Sequence, residues 1–456
     1  MERIENFLSR HGWITLLVLS LVSHFTLFGY PKEVVFDEVH FGKFATDYFT
    51  GDFFFDLHPP LAKLLITFFG WIGGYQPGFS FASIGQNFPD SSFLWLRLLP
   101  VLAGVLLPII IYFLCLRLHF SKTASFVAGL LMILENSLLV QSRFILLDSL
   151  LLLFGFLGIL LSIIAREKKL MWLSFVSGAS LACAFSIKWT GLSFLGLVIL
   201  WELWNGIRNK VSLKGWIIKA VSFCIIPVLL YMAIFEVHFL LLNKSGTGDA
   251  FLTTAFQGTL VGSQYAGKEP APSFLSRFLE LNKVMYTANS PSLTHPYGSK
   301  WWSWPLMLRP IYYWNHAGDV PGTEAKIYLI GNPVLYWGGL LSVWLLFSSL
   351  LLHFRKYKPK LEIIAFLGIG YLVNLLPFMF ITRVMFLYHY FTALIFSILI
   401  MVFLVDSIEN RRLRKTLFIV LVALSLAFFL FFAPLTYGTP LSEHAQNLRF
   451  WFPSWR

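Results

Sequence analysis

Charge is scarce in this chain. Asp, Glu, Lys and Arg make up 13% of its 456 residues, against roughly 25% in soluble globular proteins. With 57% hydrophobic residues, a single soluble domain is excluded. Cysteine is nearly missing: Cys115, Cys183 and Cys224 are the only three, and each lies in an apolar run. That argues against a disulfide framework or zinc site and for small buried hydrophobes. No GxGxxG or Walker sequence follows a plausible strand, so a nucleotide-sugar donor is not expected. Internal repeats and low-complexity segments are absent as well.

What the chain has instead is apolar runs of about 18 residues or more, the length that crosses a bilayer core. They give about eleven expected transmembrane spans, beginning near Trp13, Leu94, Thr123, Leu146, Met171, Leu192, Ile218, Pro333, Leu361, Val384 and Thr416. Arg3 and Arg10 precede the first run, but no small-residue cleavage site follows, so it reads as an uncleaved span. The formal charge of +12 would suit nucleic acid were it not distributed by topology. With the N-terminus cytoplasmic, the inner turns hold Arg117 and Lys122; Arg166, Lys168 and Lys169; and Arg208, Lys210, Lys214 and Lys219. Later inner turns hold Arg355, Lys356, Lys358 and Lys360, then Arg411, Arg412, Arg414 and Lys415. Every inner turn is basic, which fixes the orientation by the positive-inside rule and removes the case for a nucleic-acid partner.

This orientation places two long loops and the C-terminal tail outside. It divides the chain into a seven-span unit (1–240, with its first outer loop at 31–92), a large outer loop (241–331) and a four-span unit (332–456). In the first loop, HFGKFATDYF and PPLAKLLITFFGWIGG read as interfacial helices. SKWWSWPLMLRPIYYW in the second has the aromatic richness of a segment at headgroup depth.

Candidate chemistry gathers at the outer span ends. Asp37 and Glu38 are adjacent carboxylates just past the first span, where an apolar setting disfavours ionising both. Arg97 begins the second span, Arg143 and Asp148 flank the third-to-fourth turn, and Lys188 lies in the fifth-to-sixth. Glu236 and His238 close the seventh span; Arg383, His389 and Tyr390 occupy the ninth-to-tenth turn. Taken singly, each cation reads as well as a snorkelling anchor, and the acidic pair as a solvated loop start. Together they form a cationic ring facing an acidic pair, which suits a lipid phosphate. A phosphate-linked sugar needs little acid catalysis of departure, only cations for the leaving group and one base for the incoming hydroxyl. Glycoside hydrolysis normally needs two separated carboxylates.

These residues stand in motifs that resemble the protein O-mannosyltransferase family: FDEVHFGKFA, HPPLAK, WLRLLPVLAG, VQSRFILLDSLLLLF, KWTGL, HPYGSKWWSWPLMLRPIYYW, GNPVLYW and RVMFLYHYF, in order along nearly the whole chain. The resemblance implies an all-α integral membrane protein of C-type glycosyltransferase fold. It implies mannose transfer, with inversion, from polyprenyl-phosphate mannose to Ser or Thr hydroxyls of secreted or membrane proteins outside a plasma membrane. It carries the catalytic pair onto Asp37 and Glu38, with Asp37 as base, and phosphate contacts onto Arg97 and Arg383. Arg143 and Lys188 join the donor-phosphate set; His58, Asp148, His389, Tyr390 and Trp302 are substrate-binding or supporting candidates. For Trp302, interface anchoring is an equal reading. No cofactor or metal is implied, and the scattered carboxylates do not contradict that. Eukaryotic members carry MIR repeats in the large outer loop; 241–331 has no room for them, so the chain resembles the compact prokaryotic type. Dimerisation or association with the secretion machinery is the further partner expectation. A sister enzyme moving a lipid-linked sugar such as aminoarabinose onto lipid A remains an alternative, as does a secondary transporter, although the transporter reading predicts midplane charges and paired repeats.

Overall fold

Apolar runs bounded by short polar caps become helices. The computed structural model describes residues 2–288, 294–357 and 360–456. Helices α1 (Glu2–Phe25), α2 (Glu38–Thr50), α3 (Leu61–Ile72) and α4 (Phe93–Arg117) come first. After them run α5 (Lys122–Ile133), α6 (Asn136–Ser142), α7 (Asp148–Lys168), α8 (Met171–Phe185) and α9 (Leu192–Arg208). The Ser121 hydroxyl caps α5 by accepting from Ala124 N, satisfying one orphan donor of the first turn. The next helices are α10 (Leu213–Ala220), α11 (Ile226–Leu241), α12 (Thr254–Gln257) and α13 (Phe274–Thr287), and then α14 (Pro333–Tyr357), α15 (Leu361–Val373), α16 (Phe391–Asp406), α17 (Arg411–Tyr437) and α18 (Glu443–Asn447).

Among the described residues, eight helical stretches can cross a membrane by length and composition, and the protein is a multi-pass membrane protein. The other three expected spans fall on shorter pieces. The first is the apolar helix His11–Phe25, and the fifth is Met171–Phe185. The third is not straight: α5 and α6 meet at 59°. Glu135 sits at the break, where its carboxylate accepts from Leu138 N (2.6 Å) and Ser137 Oγ (2.7 Å) and so starts a new helix in a new direction. Asn332, just ahead of α14, braces the bend by donating its backbone N–H to Glu135 (2.8 Å) and its amide to Leu134 O and Ser425 O.

The two segments expected to form interfacial helices are helical, as α2 and α3. The large loop at 241–331 adds an element not expected of a helical protein. Strand β1 (Ile311–Ala317) pairs antiparallel with β2 (Thr323–Leu329), and β2 with β3 (Leu441–Ser442) of the C-terminal segment. A bulge between Tyr312 and Trp314 interrupts the β1–β2 register; such an extra residue bends the strand and re-aims a side chain. A separate aromatic core of Tyr48, Phe53, Phe54, Phe235, Phe239 and Phe256 ties this loop and α13 to α2 and α11.

Helix direction separates two ends. Arg97 opens α4 and Arg117 closes it; Asp148 opens α7 and Lys168 closes it; Lys188 precedes α9 and Arg208 ends it. At 1.5 Å per residue, about 30 Å divides the candidate chemistry from the basic turns. Of those turn cations, Lys358 lies outside the described residues.

Candidate active site

Phe36 has φ = 49°, a left-handed conformation that a bulky residue adopts only when its surroundings enforce it. They do: its ring stacks on Tyr313 at 4.0 Å and its N–H donates to Tyr313 O at 3.1 Å. The chain therefore turns sharply into α2, and the two carboxylates that follow part company. Glu38 points into the protein. Its oxygens accept from Arg97 Nε and Nη2 (both 2.7 Å), Val35 N (2.9 Å) and Ile145 N (2.9 Å). Asp37, at the helix start, makes no capping bond and is partly exposed. Burial pushes its carboxyl up to about 7; Lys188 opposes the rise, and Asp148 and Asp56 add to it.

Those three neighbours belong to two Lys–Asp pairs. Lys188 donates to Asp148 at 2.7 Å and lies 4.9 Å from the centre of the Tyr388 ring. Asp148 also accepts from Gln141 Nε2 at 2.6 Å, and Gln141 in turn accepts from the Tyr313 hydroxyl. The bulge in β1 is what brings Tyr313 inward to reach it. In the second pair Lys63 donates to Asp56 and to the carbonyl of His58, the latter at 2.7 Å. Burial holds His58 well below the ordinary histidine range, with Lys188, Arg383, Lys63 and His389 lowering it further. It is therefore neutral at pH 7.

A cavity of about 840 Å³ opens beside these groups. Its polar end is lined by His58, Asp148, Lys188, Arg383, Tyr388 and His389, and its remainder mainly by apolar residues of α9 and of the segment after α15, with Ser193, Asn374, Thr382 and Thr392 among them. Arg383 forms no ion pair among the described residues, although burial lowers its pKa from the ordinary value. The His389 ring stacks on Trp304 at 5.8 Å, and its Nδ1 lies 3.0 Å from Phe386 O. Among the described residues no group of three or more His, Cys, Asp or Glu is arranged to hold a metal ion.

The expected cationic ring is accordingly smaller than its sequence suggests. Arg97 and Glu38 are both 0% exposed. All five Arg97 N–H groups are engaged, the remaining ones by the carbonyls of Gly29, Pro31 and Glu33, so Arg97 has no donor left for a phosphate. Glu38, with four donors already on it, has no free lone pair directed at a substrate. Arg143 is corrected too: its guanidinium donates to Thr26 O (2.6 Å) and Leu27 O (2.9 Å) and stacks over Tyr437, latching the end of α1. Trp302 is 54% exposed and does not line the cavity; its neighbour Trp304 is the buried one. Tyr390 is fully buried behind the cavity against Tyr336 and Tyr371, and Tyr388 takes the lining position. Of the four candidate cations, Lys188 and Arg383 line the cavity. Gln141, Asp56, Lys63 and Tyr313 went unnoticed in sequence although they lie within VQSRF, FFFDLHPPLAK and PIYYW; a polar residue between apolar ones was the only signal.

Two family models match the chain: "Dolichyl-phosphate-mannose-protein mannosyltransferase" over residues 14–243 and "C-terminal four TMM region of protein-O-mannosyltransferase" over residues 274–455. Protein O-mannosyltransferase 1 of Drosophila pseudoobscura pseudoobscura is 36% identical over 54% of this chain and 29% of its own length. Dolichyl-phosphate-mannose–protein mannosyltransferase 2 of Candida albicans is 31% identical over 66% of this chain and 41% of its own. The chain therefore spans well under half the length of these curated relatives. Among solved structures, the S. cerevisiae protein O-mannosyltransferase Pmt1–Pmt2 complex bound to the sugar donor superposes with a TM-score of 0.90 at 20% identity, covering 99% of this chain and 92% of that one. An Archaeoglobus fulgidus oligosaccharyltransferase superposes with a TM-score of 0.58 at 10% identity, over 95% and 56%. The fold is the one these C-type glycosyltransferases share.

Proposed function

Since the chain belongs to the dolichyl-phosphate-mannose–protein mannosyltransferase family, we propose that it transfers mannose from polyprenyl-phosphate mannose to Ser or Thr hydroxyls of protein acceptors. One observation carries the reading: a single cavity joins Lys188 and Arg383 at its polar end to a mainly apolar trough, with Asp37, outside its lining, within electrostatic reach of Lys188. That combination matches an anionic headgroup on a hydrocarbon chain.

The chemistry follows from the geometry. Asp37, with its carboxyl near 7, is matched to accept a hydroxyl proton at neutral pH. The acceptor oxygen attacks the anomeric carbon with inversion as the bond from that carbon to the phosphate oxygen breaks. The electron pair leaves with the polyprenyl phosphate, where Arg383 and Lys188 meet the charge. Neutral His58 and His389 flank the polar end as hydrogen-bonding groups. Glu38 and Arg97 serve as positioning residues that hold the turn carrying Asp37.

The same reading places the site on the non-cytoplasmic face of a plasma membrane, with the N-terminus inside. Its support is the basic turns at the opposite helix ends. It also divides the chain into a catalytic unit at 1–240, an outer loop at 241–331 and a four-span unit at 332–456, a division supported by family models that end at 243 and resume at 274. The donor is the only small molecule the reaction requires, and dimerisation is a further expectation. The test is steady-state transfer of mannose from defined polyprenyl-phosphate mannose to a Ser/Thr-rich peptide, with lipid A as the competing acceptor. Peptide mannosylation that Asp37→Asn abolishes is the expected result; transfer to lipid A alone overturns the reading.

A further inference from the structure

Glycines inside the helices of this chain are mostly packing devices. A Cβ at Gly155 would stand 2.4 Å from the Phe194 ring, one at Gly158 2.6 Å from Leu181, and one at Gly178 1.8 Å from the Ser222 carbonyl. Gly196 is different. It lies inside α9, and a Cβ there would meet nothing within 4 Å; among the described residues it is the only glycine within an α-helix with such open surroundings. Mid-helix glycine is less favourable than alanine because its backbone loses more freedom on folding. No described neighbour needs the space that Gly196 leaves.

That space belongs to the cavity. Leu192, Ser193, Gly196, Leu197 and Leu200 line it from one face of α9, a stripe extending about 12 Å along the helix axis from Leu192 to Leu200. Lys188 marks its polar end. Val373, Pro377 and Phe380 form the facing wall. Two of the polar side chains between the walls engage one another: the Ser193 hydroxyl donates to Asn374 Oδ1, and the Asn374 amide donates to Gly370 O at 2.8 Å. The trough is therefore mainly apolar below its charged end, with Thr382 and Thr392 also in its lining. Leu192, Leu200 and Phe380 at its margin are 49%, 53% and 79% exposed, so it opens sideways onto surface that a membrane-spanning helix presents to hydrocarbon.

We infer that Gly196 is a specificity-determining residue that keeps this trough open for the hydrocarbon chain of the lipid phosphate, and that a side chain larger than a methyl group there would exclude long chains while sparing the headgroup contacts. The inference rests on the lipid-phosphate reading of the cavity.

Gly196→Ala, Gly196→Leu and Gly196→Phe, in nanodiscs, are compared for binding of undecaprenyl phosphate and of dimethylallyl phosphate, whose single isoprene unit ends short of Gly196. The alanine variant is the folding control: a Tm equal to that of the original protein reports that the helix tolerates a side chain. The two larger variants weaken undecaprenyl phosphate roughly tenfold, the loss expected when about two chain carbons leave apolar contact, and leave dimethylallyl phosphate unchanged. Equal weakening of both probes, or none in either large variant, overturns the inference. Mannose transfer measured in parallel separates the two readings. Chain-dependent binding without transfer in the unaltered protein sinks the transferase assignment and keeps the trough. Transfer with chain-independent binding does the reverse.

Discussion

Replacing Asp37 by Asn is expected to abolish transfer and, above neutral pH, to make the protein more stable. The reasoning starts from the carboxyl's displacement from 3.8 to about 7, which corresponds to about 4 kcal/mol of differential interaction between its two protonation states. Asp37 is partly open to solvent, and screening reduces the realised value to about 2 kcal/mol. The folded state holds the proton to higher pH than the unfolded chain does. Stability contributed by the neutral form is therefore fully present below about 4 and is lost as pH rises through 7. Asn has no such proton to lose. Taking about 2.1 cal/mol/K per residue over 456 residues, about 2 kcal/mol amounts to a rise in Tm of roughly 2 °C at pH 8, vanishing near pH 4. Turnover of the unaltered enzyme should climb with pH through about 7 as the base ionises. Thermal unfolding of both proteins in nanodiscs from pH 4 to 8, beside initial rates of peptide mannosylation, measures all of this. An Asp37→Asn protein with near-normal turnover, or one less stable than the original at pH 8, would refute the assignment.

The other predictions concern its surroundings. Arg383→Ala should weaken polyprenyl phosphate binding roughly 10- to 100-fold, the equivalent of a lost charge-assisted hydrogen bond of about 1.5–3 kcal/mol, with an unchanged Tm; unaltered affinity would remove Arg383 from the donor site. Glu38→Gln leaves Arg97 buried without its counter-charge and should lower stability by about 3–5 kcal/mol, partly recovered in the Glu38→Gln/Arg97→Met double variant. A Glu38→Gln protein of normal stability but without activity would return Glu38 to the chemistry. Gln141→Leu frees Asp148 and the Tyr313 hydroxyl from their shared partner and should lower kcat while leaving the donor KM; a change confined to KM would contradict the positioning role.

The fold was legible because its driving pattern is local. Apolar runs and basic turns specify spans one at a time, and the interfacial helices α2 and α3 follow from their own amphipathic faces. What escaped the sequence depends on partners far along the chain. Glu135 marks a break in the run around Thr123, but the direction of the 59° bend also depends on Asn332 and Ser425 far along the chain. The sheet was missed since β3 lies well over a hundred residues beyond its partner, and the bulge that swings Tyr313 inward has no sequence signature. The site was half legible for a related reason. Charge at a span end is visible in sequence, but whether a cation faces a ligand or a carbonyl is not. Arg97 and Arg383 occupy equivalent-looking positions, yet one has every donor engaged and the other has no ion-pair partner among the described residues.

Glu135 has a consequence for biosynthesis. Its carboxylate receives one donor from a residue 197 positions later, and the neighbouring Leu134 carbonyl receives its own from the same Asn332 side chain. While the chain is still emerging, those partners do not exist, and the nascent membrane segment carries an acid and an unsatisfied carbonyl at a bend inside an apolar run. An arrested chain lacking residue 332 would expose both to lipid or to water. The bend is therefore completed only once residue 332 has been made, because Asn332 supplies a donor to each of these two groups.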